Sequence, residues 1–207
     1  MVGMSSPSPT PALPPLLVFA GSTRAQSFNR RLARVAADIG RAAGASVTLL
    51  DLAEHELPLY NADLEARGTP AAARRLKEIF HAHPAWIVCS PEYNGSYTGL
   101  MKNTIDWVSS PIKGDPDWSS GTKPFAGKVV GLLSASPGAL GGVRGLEHLA
   151  PLLSQLQCWV APKRHALAKA GEAFTADGAL ASDTAQQAVA GVVEQVLWAA
   201  ARLRPGA

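Results

Sequence analysis

The sequence predicts an α/β domain: a parallel sheet with helices on both faces. Three observations carry that expectation. Short apolar runs of strand length recur along the chain, and several are closed by Gly, Ser or Pro. Between them lie longer segments whose apolar residues repeat at helical spacing. The two kinds of segment alternate, which is the pattern of parallel strands joined by helical crossovers.

The first run is Leu16-Leu17-Val18-Phe19-Ala20, ending at Gly21. It is apolar at every position, as a strand buried on both faces must be. Phe28, Leu32, Val35, Ile39 and Ala42 then recur on one side of a helix, opposite Arg30, Arg31, Arg34, Asp38 and Arg41. Ser27 suits its N-cap and Gly44 its stop. A second strand is expected over 46–52 and a second helix over 71–81, with Leu76, Ile79 and Phe80 inward. The run Ala85-Trp86-Ile87-Val88-Cys89 is the third strand, closed by Ser90-Pro91. A helix over 98–108, a strand over 128–134 and a helix over 145–156 follow. A short last strand (158–161) and a long helix (183–203) complete the pattern. Five such units fit the flavodoxin-like strand order 2-1-3-4-5. Residues 1–15, rich in Pro and Ser, are expected to be a disordered tail, and 16–204 one domain. Segments 109–127 and 162–182 read as long loops.

Composition narrows the function. Of the 207 residues 47% are hydrophobic and only 17% charged, below the roughly 25% of an average protein; this favours a well-buried sheet. The formal net charge is +3 and the pI about 9.0. This modest basic excess suits an anionic small molecule, and no basic stripe interleaved with aromatics points to nucleic acid. No run of about 18 apolar residues is present, so no membrane span is expected. The first residues lack the charged start and apolar stretch of a signal peptide. Cys89 and Cys158 are placed one strand apart, roughly 10 Å, beyond the reach of a disulfide. They are expected to be small buried hydrophobes of a cytoplasmic protein. The five histidines show no metal-ligand spacing, and Gly-x-Ser-x-Gly is absent.

Ligands of open parallel sheets bind beyond the carboxyl ends of the strands, where the strand order reverses. Three loops meet there. The first, Gly21-Ser22-Thr23-Arg24-Ala25-Gln26-Ser27-Phe28-Asn29, leads into a helix N-terminus. Free N–H groups, the helix dipole, the hydroxyls of Ser22, Thr23 and Ser27 and the Arg24 guanidinium suit one phosphate monoester. Neither a Walker loop nor a Gly-x-Gly-x-x-Gly fingerprint is present. The second loop is Ser90-Pro91-Glu92-Tyr93-Asn94-Gly95-Ser96-Tyr97-Thr98-Gly99. Its exposed amides suit the edge of a flat heterocycle, and Tyr93 and Tyr97 its face. The third, Ser134 to Gly142, carries Ser134, Ser136, Gly138, Gly141 and Gly142, small enough for close approach. Each loop taken singly also reads as a capped helix start, an ordinary turn or a flexible connection.

Taken together, the first loop, the stretch Pro91-Glu92-Tyr93-Asn94-Gly95, the helix Leu100-Met101-Lys102-Asn103-Thr104-Ile105-Asp106-Trp107 and the 137–148 loop resemble the NADPH-dependent FMN reductase family. That family includes quinone, chromate and azo-dye reductases. The resemblance implies that Ser22, Arg24, Ser27 and Asn29, with Phe28 beside them, hold the FMN phosphate. It implies that Pro91, Glu92, Tyr93, Asn94 and Gly95 line the isoalloxazine. Ser134, Ser136, Gly138 and Gly141 would close the third side. It further implies hydride passage from NADPH to FMN and on to a small-molecule acceptor (a quinone, an azo compound or an oxidised metal ion) in a homodimer or homotetramer. No catalytic side chain is expected, since the cofactor carries the chemistry. Arg144 and Glu147 are candidate interface contacts, and the 109–127 connection is longer than the family norm. An electron carrier that never meets a nicotinamide stays as an alternative, lowered by the basic charge, as does a regulatory protein with a vestigial flavin site.

Overall fold

The computed structural model describes residues 13–203. Residues 1–12 of the expected tail lie outside the described residues, while Leu13 packs on the core and Pro14 is buried. Five strands, β1 (Leu16–Ala20), β2 (Val47–Leu50), β3 (Ala85–Cys89), β4 (Val129–Ala135) and β5 (Trp159–Leu167), form one sheet. All are parallel, in the order β2-β1-β3-β4-β5. The helices are α1 (Phe28–Ala42), the single turn α2 (Ala62–Glu65), α3 (Ala71–Ala82), α4 (Gly99–Ser109), α5 (Val143–Gln155) and α6 (Asp183–Arg202).

Side chains alternate across a strand, and the alternation sorts the core into two halves. Leu16, Val18 and Ala20 of β1, Ile87 and Cys89 of β3 and Leu133 of β4 face α1 and α6. Leu17, Phe19, Trp86, Val88, Val130 and Leu132 face α3, α4 and α5. The three central strands are therefore buried throughout. Ser27 caps α1 and Thr98 caps α4, each through its side-chain oxygen. Gly44, at a left-handed φ of 89°, closes α1 by donating to Arg41 O.

One expectation is corrected. The last strand runs to Leu167, well past residue 161, because a bulge lets it continue. Val130 and Leu132 of β4 are two residues apart, whereas their partners Val160 and Arg164 are four apart, with Pro162 inside the bulge. The 109–127 connection is a long loop, as expected. It folds back on α3: Arg74 pairs with Asp115 at 2.6 Å, His81 meets Trp118 edge-on, and Phe125 is wholly buried against Phe80 and Trp86. Lys77, 1% exposed, donates to Val108 O and Ser110 O and so fixes the start of that connection. Burial lowers its pKa to about 8.

Gly131 decides how closely α6 approaches the sheet. A Cβ there would lie 2.7 Å from Val196 and 2.8 Å from both Ile87 and Val192. Gly131→Ala is expected to destabilise the domain by roughly 1–3 kcal/mol through overpacking. Urea unfolding of the two proteins checks this, and an unchanged midpoint would contradict the close packing.

Candidate functional site

The carboxyl edge of a parallel sheet strands backbone groups that must find partners elsewhere. Here successive strands and turns supply them in a chain. Gly21 N–H donates to Cys89 O at 2.9 Å, Ser90 N–H to Leu133 O at 2.9 Å, and Ser136 N–H to Leu167 O at 3.1 Å. The buried Asn29 side chain adds a pair of bonds across the edge: its Nδ2 donates to Ala135 O at 2.8 Å and its Oδ1 accepts from Ala135 N–H at 3.0 Å. Thr98 Oγ1 donates to Gly21 O at 2.8 Å and accepts from Met101 N–H, tying α4 to the first turn. A cleft of about 170 Å³ opens above this stitching. It is lined by Ser22, Arg24, Ser27, Phe28 and Asn29, by Pro91, Glu92 and Tyr93, and by Ala135, Ser136 and Pro137.

The first turn presents donors to that cleft. Ser27 N–H is used by Arg24 O, and Arg31 N–H by Ser27 O. Among the described residues nothing accepts from the N–H groups of Phe28 and Asn29 at the start of α1. Arg24 is exposed and has no ion pair or side-chain hydrogen bond among the described residues; its guanidinium lies 5.8 Å from the Phe28 ring centre. The other arginines of the turn and helix are engaged differently. Arg30 pairs with Asp51 and donates to Thr23 O at 3.0 Å, so it braces the turn against the end of β2. Arg31 lies over Phe174 and donates to Thr175 O.

The second turn is a tight hairpin. Tyr93 and Ser96 exchange backbone hydrogen bonds at 2.8 and 3.0 Å. Asn94 and Gly95 both take left-handed φ angles, 51° and 81°, as the two central residues of a type I′ turn require. Tyr93 is exposed beside the cleft, whereas Tyr97 packs on the apolar cluster beneath and presents no face to it. Glu92 turns its carboxylate toward α5. It accepts from Arg144 Nε at 2.8 Å and from Gly145 N–H at 3.1 Å. Burial would push its pKa up, but the Arg144 guanidinium and the Gly145 N–H outweigh this and hold it below the ordinary carboxylate value.

The third loop is divided. Ser136 lines the cleft and its Oγ accepts from Gly138 N–H. Ser134 is wholly buried, without a hydrogen-bond partner, and faces Gly142 rather than the cleft. Gly141 sits against the backbone of Ala166. The structure thus gathers Ser22, Arg24, Ser27, Phe28, Asn29, Pro91, Glu92, Tyr93 and Ser136 around one cleft, and places Asn94, Gly95, Ser134, Gly138 and Gly141 off its lining. Arg144 and Glu147, expected at a subunit interface, pair inside the chain with Glu92 and Arg164. Thr98 and the Arg30–Asp51 pair escaped the sequence reading; only Thr98, by its place at a helix start, gave a signal. A larger groove of about 830 Å³ runs along the outer face of α1, but its Arg31 and Arg34 are balanced by Asp38 and Asp177. Cys89 and Cys158 are free and buried; burial raises both pKa values, that of Cys158 to about 12. Among the described residues no His, Cys, Asp and Glu cluster could hold a metal, and no helix is long and apolar enough to cross a membrane.

A five-stranded parallel sheet in the order 2-1-3-4-5 with helices on both faces defines a flavodoxin-like fold. The model of the NADPH-dependent FMN reductase family matches residues 14–172, and the chain belongs to that family. It is 34% identical over 175 residues to an NAD(P)H-dependent FMN reductase of Pseudomonas aeruginosa, covering 84% of this chain and 88% of that protein. It is 36% identical over 144 residues to a quinone reductase of Escherichia coli, covering 69% and 71%. Among solved structures it resembles the flavoenzyme NAD(P)H:(acceptor) oxidoreductase FerB of Paracoccus denitrificans, with a TM-score of 0.76, 27% identity and coverage of 89% and 96%.

Asn29 is the strut between the first and third loops. Asn29→Ala strands the backbone N–H and C=O of Ala135, and a loss of roughly 1–3 kcal/mol is expected. Asn29→Asp should cost at least as much, because a carboxylate would then face Ala135 O. Thermal or urea unfolding of the three proteins measures both.

Proposed function

We propose that this chain is a cytoplasmic FMN-dependent NAD(P)H oxidoreductase, with NADPH as the reductant and a quinone, an azo compound or an oxidised metal ion as the acceptor. The observation that carries the reading is the donor set at the first turn. Two N–H groups without partners among the described residues, two hydroxyls and one unpaired guanidinium belong to residues that line a single cleft. That set fits a phosphate monoester at a helix N-terminus, and Glu92, the one carboxylate among the lining residues, is tied to Arg144.

In this reading Ser22, Arg24 and Ser27, with the N–H groups of Phe28 and Asn29, hold the phosphate of FMN. The Asn29 side chain acts one step removed, by fixing Ala135. The turn from Pro91 to Gly95 offers backbone donors and Tyr93 to the ring, and Ser136 closes the opposite wall. When bound, FMN supplies the hydride and electron transfer. In this reading the chain's own residues bind and orient, and no catalytic side chain is assigned. One open ring face that reductant and acceptor use in turn would give ping-pong kinetics. Leu140 and Val143, exposed beside the third loop, support a homodimer or homotetramer.

Two expected outcomes follow. Reconstituted with FMN and mixed with NADPH without oxygen, the protein should lose its yellow colour rapidly; colour that persists would overturn the reductase in favour of an electron carrier. Arg24→Ala should weaken FMN binding by about tenfold, the low end for a charge-assisted bond at a solvated site. Riboflavin, which has no phosphate, should lose almost nothing. Paired titrations of wild type and variant with both ligands check this, and equal losses would mean that Arg24 only supports the turn.

A further inference from the structure

The cleft residue that fits the flavin reading least well is Glu92. Its carboxylate lies against the cleft wall yet is spent on another element. α5 begins at Val143 after Gly142, and the cap residue Gly142 has no side chain to satisfy the first N–H groups. Those groups carry the positive end of the helix dipole. Glu92 Oε2 accepts from Gly145 N–H at 3.1 Å, while its other oxygen takes the Arg144 guanidinium. The Glu92 side chain is 8% exposed and that of Arg144 61%. The backbone is shaped for this contact: a Cβ on Gly145 would lie 3.3 Å from Glu92 Cβ and 3.3 Å from Ser96 O. The second turn and the start of α5 therefore touch directly, and the acid is the polar element of the contact.

We infer that Glu92 is a positioning residue: it caps α5 from a distant loop and so clamps the ring-binding turn to the third wall of the cleft. This inference rests on the flavin reading above. A direct flavin ligand would point its carboxylate into the cleft; Glu92 instead joins two of the cleft's walls. The clamp also sets an acid limit. The charged group that meets Glu92 is Arg144 on α5; Arg24 and Tyr93 line the same cleft, and Ser134 and Ser136 at the β4 end are uncharged. Among the described residues no second carboxylate contacts Glu92. Since the native pKa is lowered, the clamp is fully present above the ordinary carboxylate range. It is lost as pH falls through the lowered native value.

The test uses full-length Glu92→Gln, Glu92→Ala and Arg144→Ala. Gln keeps an oxygen for Gly145 N–H but loses the charge; Ala loses both; Arg144 is exposed, so its variant should fold normally. FMN and riboflavin affinities should fall together, by about tenfold in Glu92→Ala and less in Glu92→Gln. That common fall distinguishes the clamp from a phosphate lesion, which spares riboflavin. Glu92→Gln and Arg144→Ala combined should lose no more than the larger single loss. On acidification through and below the ordinary carboxylate range, wild type should release riboflavin, which has no phosphate to titrate, along a carboxylate titration that Glu92→Gln lacks. In the flavin-free protein, amide exchange at Gly145 should quicken in Glu92→Ala. Unchanged riboflavin affinity, additive losses or an acid limb retained in Glu92→Gln would each overturn the clamp. Failure of wild type to bind either flavin would instead overturn the flavin reading, while the exchange measurement would still judge the contact between the turn and α5.

Discussion

The backbone groups that a parallel sheet leaves at its carboxyl edge control much of this molecule. Each strand stops where its neighbour still offers a carbonyl, and the next turn begins by donating to it. Gly21, Ser90 and Ser136 do so in succession across β3, β4 and β5. Asn29 and Thr98 then extend the stitching with side chains drawn from helices on opposite faces. Amides that would otherwise be buried without partners are satisfied, and the three turns are held at fixed spacing. The cleft is the space left above a surface whose own polar groups are already used. The donors that remain, at the start of α1, are those a ligand can take.

Much of this was legible in the sequence because it depends on local rules. Apolar runs such as 16–20 and 85–89 fit nothing but strands buried on both faces, and Ser27 and Gly44 mark the ends of α1 by their chemistry. The three turns were recognisable because their residues are ill suited to strand or helix. What could not be read depends on distance in sequence. The extra length of β5 comes from a bulge around Pro162, a residue that locally argues for a loop. The folding of 109–127 onto α3 depends on Asp115 meeting Arg74 and Trp118 meeting His81, pairs about forty residues apart in sequence. The division of the third loop, with Ser136 at the cleft and Ser134 beneath Gly142, follows from where β4 ends: Ser134 is still in the strand and packs under the start of α5, whereas Ser136 lies beyond it.

The arginines show why net charge describes this chain poorly. Four of them fall within eleven positions, 24 to 34, and read together as a basic helix start. In the structure Arg30 is neutralised by Asp51 and Arg31 is laid over Phe174. Arg34 faces the outer groove. Only Arg24 is left at the cleft. The local field at the first turn is therefore that of one guanidinium and a helix N-terminus, which favours one anionic group over an extended polyanion.

The bulge in β5 has a consequence for the sheet's outer border. An edge strand offers a row of free amides on which another chain can polymerise. Pro162 has no N–H to offer, and the N–H of Lys163 beside it is already taken by Gln195 of α6 at 2.8 Å. The lysine adds a charge that a neighbouring strand would have to desolvate. At its longest strand the sheet is thus blunted against growth by a sixth, foreign strand, and strand-by-strand aggregation is discouraged where this architecture is most exposed to it.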